Sequence, residues 1–136
     1  MEFGKAIELA NADLERYNNQ LSILSDYYIR EVQKRIPNIK INGDFNNKLA
    51  GNNNICFAGI DGGKLIVALD KKGICASSGS ACSAGLINPS HVLLATGLNP
   101  NLARGSLRIT FGRENTIDDV KYLVDNLEEI VSQLRR

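Results

Sequence analysis

The stretch Ile74-Cys75-Ala76-Ser77-Ser78-Gly79-Ser80-Ala81-Cys82-Ser83-Ala84-Gly85-Leu86-Ile87-Asn88-Pro89-Ser90-His91-Val92-Leu93 changes character twice. A short apolar piece runs into a loop of Ser, Gly and Ala. Helix is predicted to resume at Asn88-Pro89, an N-cap residue followed by a residue suited to the first turn. Cys82 lies in the middle of that loop with no large apolar residue next to it. A thiol so placed is accessible and movable, which suits a nucleophile. Cys56, within Asn54-Ile55-Cys56-Phe57, and Cys75, between Ile74 and Ala76, instead read as small buried hydrophobes.

Elements follow outward from this loop. Downstream, Gly97 closes the helix Pro89 to Thr96, and Asn99-Pro100-Asn101 reads as a turn. Leu107, Ile109 and Phe111 alternate with Ser106, Arg108 and Thr110, the period of a strand with one buried and one polar face. Thr116 and Asp119 form a capping box for a last helix, whose apolar stripe is Ile117, Val120, Val124, Leu127, Val131 and Leu134. Upstream, Asp61 caps a short helix from Lys64 to Lys71 that ends at Gly73. Ile39-Lys40-Ile41 and Ile55 to Ala58 read as strands, and the Asn- and Gly-rich segment from Asn42 to Asn54 as a loop.

Residues 3 to about 35 carry Phe3, Ile7, Ala10, Leu14, Tyr17, Leu21, Leu24 and Tyr28 at helical spacing. That predicts one long helix with a buried face, or alternatively a coiled-coil seam, with Asn18-Asn19 as its weak point and Pro37 at its end. The whole order is that of an α/β (α+β) domain, a small sheet packed by helices. Pattern alone leaves open whether the helices cover one face or two, and it also suits a ferredoxin-like binding or regulatory module.

The motif Ser77-Ser78-Gly79-Ser80-Ala81-Cys82, followed by Asn88-Pro89-Ser90-His91-Val92-Leu93, resembles the signature of the cysteine desulfurases, enzymes that use pyridoxal phosphate to take sulfur from cysteine. The loop length resembles the long-loop branch that serves nitrogen fixation and iron–sulfur cluster assembly. Gly59 to Gly73 resembles the family's short helix before the signature, and Arg104-Gly105-Ser106-Leu107-Arg108-Ile109-Thr110-Phe111-Gly112-Arg113 its late strand. One departure is Lys48-Leu49-Ala50, where the family has Arg-Leu-Pro. Another is the cofactor Lys: it follows a His in the family, whereas the single His here, His91, precedes Val92.

The resemblance implies that residues 1–136 are a single domain, the small C-terminal domain of a fold-type I pyridoxal-phosphate enzyme. Its sheet would be mainly antiparallel, with the first and last helices against it and the catalytic-Cys loop 77–88 at one edge. Cys82 would take the sulfur of L-cysteine as a persulfide and release alanine. Arg108 would grip the substrate carboxylate, for which a planar fork of donors is suited; by itself, a strand Arg is more often a solvated edge residue or a structural ion pair. Arg104 and Arg113 are weaker candidates, the latter expected to hold the C-terminal helix or a domain contact.

The resemblance puts pyridoxal phosphate in an N-terminal domain that is missing here, so none is expected on this chain and the chain alone is expected to be inactive. The implied complete protein is a homodimer that hands sulfur to an iron–sulfur scaffold or another acceptor. A stand-alone persulfide carrier without enzymatic activity is the alternative.

Composition excludes several classes. Over 136 residues, a hydrophobic fraction of 43%, a charged fraction of 23% and a net charge of +1 are ordinary for a globular domain. They give no reason for a nucleic-acid or membrane partner. The chain has no apolar run approaching the roughly 20 residues of a membrane span, and its opening residues read as helix rather than signal peptide, so the cytoplasm is expected. Three Cys and one His, without Cys-x-x-Cys spacing, predict reduced thiols and no structural metal site. The serines lack an Asp-His pair, and His91 is expected on a helix surface.

Overall fold

The computed structural model describes residues 2–44, 47–78 and 89–136. In chain order the elements are α1 (Glu2–Ala12), α2 (Leu14–Arg35), β1 (Ile39–Asn42), β2 (Asn52–Phe57), α3 (Gly62–Asp70), α4 (His91–Ala95), α5 (Pro100–Ala103), β3 (Ser106–Thr110) and α6 (Ile117–Leu134). The strands form an antiparallel sheet in the order β1-β2-β3. Ser77 extends it past β3 by pairing with Arg108: the Ser77 amide donates to the Arg108 carbonyl at 3.2 Å, and the Arg108 amide to the Ser77 carbonyl at 2.7 Å. The segment leading to the Cys loop thus leaves from a sheet edge, as expected, while residues 79–88 themselves lie outside the described residues.

Strand alternation gives the sheet two unlike faces. On one, Ile39 and Ile41 of β1, Ile55 and Phe57 of β2, and Leu107 and Ile109 of β3 meet α2, α3 and α6 in the apolar core. α2 contributes Leu24, Tyr28 and Val32, and α6 contributes Val120, Val124, Leu127 and Val131. Tyr28 and Phe111 meet edge to face with ring centres 5.7 Å apart. α2 and α6 are also joined at the surface, where Arg35 pairs with Asp125 at 2.7 Å and with Glu128. The last turn of α6 is tied back by Arg135, whose guanidinium donates to the carbonyls of Pro37 at 2.7 Å, Asn38 at 3.1 Å and Ala58 at 3.2 Å.

Several expectations hold at the level of single caps. Thr116 and Asp119 form the capping box, with Asp119 Oδ2 accepting from the Thr116 amide at 2.8 Å. Asp61 accepts from the Lys64 amide at 3.1 Å and starts α3. Beyond α3, Gly73 at φ 72° ends the helix: its amide donates to the Asp70 carbonyl and that of Ile74 to the Leu69 carbonyl. Gly97, at φ 82°, closes α4 with the same pair of bonds, from Gly97 to Leu94 and from Leu98 to Leu93. Both are turns that need a left-handed residue, the conformation glycine adopts without steric cost.

Other expectations are corrected. The first helix is not continuous: it breaks at Asp13 rather than bending at Asn18-Asn19, which lie within α2. The Asp13 carboxylate pairs with Arg16 at 2.9 Å and makes no cap bond. The predicted buried stripe is buried only from Leu21 onward. α1 buries none of its residues, and Phe3 is 80% exposed.

The supposed loop from Asn42 to Asn54 gives its ends to strands, since Asn42 closes β1 and Asn52 opens β2. Asn53 is buried there because its polar atoms are matched: it donates to Ser25 Oγ at 3.1 Å and accepts from Lys48 Nζ at 2.6 Å. Lys48 thus anchors the segment that departs from the family's Arg-Leu-Pro, while Leu49 is exposed. Asn99-Pro100-Asn101 opens α5 rather than a turn, with Asn99 Oδ1 accepting from the Asn101 amide at 2.9 Å. The helix expected from Pro89 begins at His91, capped by position at Ser90, and the proposed cap Asn88 falls among the residues not described.

Candidate functional site

The second face of the sheet is polar. The register sets Asn42 of β1 opposite Asn54 of β2, Asn54 opposite Arg108 of β3, and Arg108 opposite Ser77. The next row is Lys40, Cys56 and Ser106. Directly opposed residues project to one side, so Arg108 stands on the face away from Leu107 and Ile109, as the alternation predicts. The end of α4 and the turn through Gly97 and Leu98 run over this face and enclose a cavity of about 530 Å³. Arg108, Lys40, Asn42 and Asn54 contribute its polar lining, and Val92 and Leu98 part of its apolar side.

Arg108 is half-buried and makes no ion pair with any described residue. Among the described residues, no Asp or Glu lines the cavity. Its polar atoms are organised from the β1 side: Asn42 Nδ2 donates to Asn54 Oδ1 at 2.7 Å and to Cys56 Sγ at 3.0 Å. Cys56 is buried, and burial pushes its thiol pKa up, an effect only partly offset by the Asn42 bond and the nearby Lys40 charge. It is a protonated, inaccessible thiol rather than a nucleophile. A half-buried guanidinium among neutral amides and one ammonium, with no acid facing it, is suited to an incoming anion.

Cys82 and the serines at 80 and 83 lie outside the described residues. Cys75, expected in the core, is exposed, because the chain between the turn at Gly73 and the pairing at Ser77 crosses the surface. Arg113 does not hold α6. Its guanidinium sits over the Tyr17 ring at 5.0 Å and its carbonyl accepts from Gln20, so it fastens the chain to α2. Arg104 is exposed and contributes its carbonyl, which accepts from the Gly62 amide. His91 is on the surface, as expected.

Of the described lysines, Lys40 is exposed and lines the cavity beside Arg108. Lys64, Lys71 and Lys72 are exposed on or beside α3, and Lys72 pairs with Glu129 at 3.5 Å. Lys48 is engaged by Asn53. No group of His, Cys, Asp and Glu among the described residues could hold a metal ion, and no described helix is long and apolar enough to cross a membrane.

Asn54 and Asn42 are the site residues that the sequence left unread. Asn42 and Asn54 continue the alternation of Lys40 and Cys56, but their place beside Arg108 follows only from the register of the three strands.

The chain belongs to the aminotransferase class-V family, whose model matches residues 1–123. A protein named cysteine desulfurase IscS from Dictyoglomus turgidum is 44% identical over 132 residues, and one of the same name from Clostridium botulinum is 44% identical over 134 residues. Each match covers 97% of this chain and 34% of the relative, so the chain spans about a third of their length. Among solved structures, the NifS-like protein from Rickettsia africae superimposes with a TM-score of 0.81 at 26% identity, over 96% of this chain and 33% of that one.

Proposed function

We propose that this chain supplies the sulfur-accepting and carboxylate-binding part of a cysteine desulfurase. The observation that carries the proposal is Arg108: a half-buried guanidinium, without an acidic partner among the described residues, opening into a cavity of about 530 Å³. In this reading Arg108 holds the carboxylate of L-cysteine bidentately and so fixes the direction of its sulfur. Cys82 meets that sulfur as the nucleophile. A sulfur–sulfur bond forms as the carbon–sulfur bond breaks, and the substrate carbon gains a proton, giving alanine and a persulfide on Cys82. Pyridoxal phosphate, when bound, supplies the electron sink for this cleavage. Its seat belongs to the part of the fold that the chain does not span.

The complete protein is then a homodimeric, cytoplasmic enzyme that passes sulfur to an iron–sulfur scaffold or another acceptor. The test is a chimera in which this chain replaces the matching third of the Dictyoglomus turgidum relative, assayed for alanine and sulfide. Activity is expected, and Cys82→Ala is expected to abolish it. The 136-residue chain mixed with pyridoxal phosphate and cysteine is expected to give neither product above a protein-free control. Undiminished activity in Cys82→Ala overturns the proposal.

A further inference from the structure

We propose that Asn54 is a second anchor for the bound carboxylate, oriented for that role by Asn42. This rests on the reading of Arg108 given above and adds to it a residue on a different strand. Asn42, Asn54 and Arg108 form one row across the sheet, on three successive strands. An Asn side chain has one acceptor end and one donor end. Asn42 Nδ2, from the β1 side, takes the acceptor end of Asn54 at 2.7 Å. The donor end, Asn54 Nδ2, is thereby turned away from β1 and towards the β3 side, where Arg108 is the directly opposed residue. Nδ2 of Asn54 has no acceptor among the described residues, and both side chains line the same cavity.

Two donors side by side, with no acceptor among the described residues, leave a polar site incomplete in a definite way. The missing group must be acceptor-rich and small. A carboxylate has about four lone-pair positions; a guanidinium fork occupies two, and an amide N–H beside it takes a third. Because the added donor is neutral, it contributes direction and geometry without drawing more negative charge. Lys40, the second cation lining the cavity, stands on β1, two strands from Arg108, so the fork and the amide together meet one planar anionic group. Asn42 touches no ligand in this arrangement and is a positioning residue: without its hydrogen bond the Asn54 amide is free to rotate and present its oxygen.

The test is heteronuclear NMR on the 136-residue chain, titrated with acetate, with L-alanine and with inorganic phosphate. The Asn54 side-chain amide and the Arg108 Nε–H resonances are expected to move together along one saturable curve for both carboxylates, with smaller shifts for phosphate. Asn54→Leu is expected to weaken carboxylate binding about tenfold, the scale of a hydrogen bond to a charged group. Asn54→Asp keeps the acceptor for Asn42 but sets a carboxylate against Arg108, so it is expected to close the site to added anions. Unchanged backbone amide dispersion shows that each variant folds.

Asn42→Leu is expected to weaken binding about threefold and to collapse the separation of the two Asn54 Nδ2 protons, which a merely structural role for Asn42 would not do. Wild-type affinity in Asn54→Leu, with binding lost in Arg108→Lys, overturns the role of Asn54 and leaves that of Arg108 standing. No saturable shift at either residue overturns both. Larger shifts with phosphate than with acetate overturn the assignment to a carboxylate.

Discussion

The two faces of the sheet are built from alternate residues of the same strands, and they differ in nearly every respect. Phe57 is fully buried under helices, whereas Asn54, on the same strand, faces a cavity. The helical face is closed by α2, α3 and α6 and is almost wholly apolar. The other has a row of amides ending at a guanidinium that nothing acidic among the described residues neutralises. The contrast separates tasks: one face supplies stability, and the other keeps polar groups incompletely satisfied so that a ligand can complete them.

A substitution on the helical face tests the first half of that separation and should have the largest effect. Phe57→Ala removes a fully buried aromatic side chain and is expected to cost about 3–5 kcal/mol, read from the urea midpoint. A loss below 1 kcal/mol would show that the core does not depend on this face. The second half is tested by Arg108→Lys, which keeps the charge and loses the fork. Carboxylate binding is expected to fall roughly tenfold or more, with unfolding free energy changed by no more than about 0.5 kcal/mol. A variant that binds normally and unfolds early would make Arg108 a structural residue.

Thiols sharpen the comparison further. In the folded chain iodoacetamide should modify exposed Cys75 and spare buried Cys56, which becomes reactive on unfolding. Because burial raises the folded Cys56 pKa, its contribution to stability is complete below the unfolded value of about 8.5. That contribution diminishes as pH rises from there and is lost on passing the raised folded value, as the unfolded chain releases the proton first. Cys56→Ser should flatten the decline in stability just above pH 8.5; an unchanged profile assigns it to other groups. The smallest effect is expected from the one flaw on the apolar face: Tyr28 Oη is buried without a hydrogen-bond partner among the described residues. Tyr28→Phe is expected to leave stability unchanged or raise it by about 1 kcal/mol. A loss above 1 kcal/mol would reveal a partner for that hydroxyl.

Legibility in the sequence follows the range of the interactions involved. The cap of α6 and the centre of its buried face could be read because they are local, as could β3 and the turns at Gly73 and Gly97, while buried Leu123 and Ile130 beside the predicted stripe were missed. The strand at Asn52–Asn54 could not, since Asn disfavours strands in general. What stabilises it is distant: Asn53 needs Ser25 of α2 and Lys48, and Asn54 needs Asn42. Arg108 could be assigned a face by period alone, but Asn54 beside it emerges only when β2 is set in register between β1 and β3. Cys75 misled because flanking Ile74 and Ala76 say nothing about which way a short crossing segment turns. The break at Asp13 carries no capping signature, since the Asp13 side chain pairs with Arg16 and makes no cap bond.

The hook formed by Arg135 bears on where this domain can be cut. The family model stops at residue 123, yet α6 continues to Leu134 and Arg135 grips the carbonyls of Pro37, Asn38 and Ala58. Those carbonyls sit just after α2 and just after β2, so the last turn acts as a fastener across two connections made much earlier in the chain. A fragment trimmed at the family boundary would leave both connections open and would also lose buried Leu127, Ile130 and Val131. A fusion partner appended after Arg136, which is exposed, leaves the fastener shut.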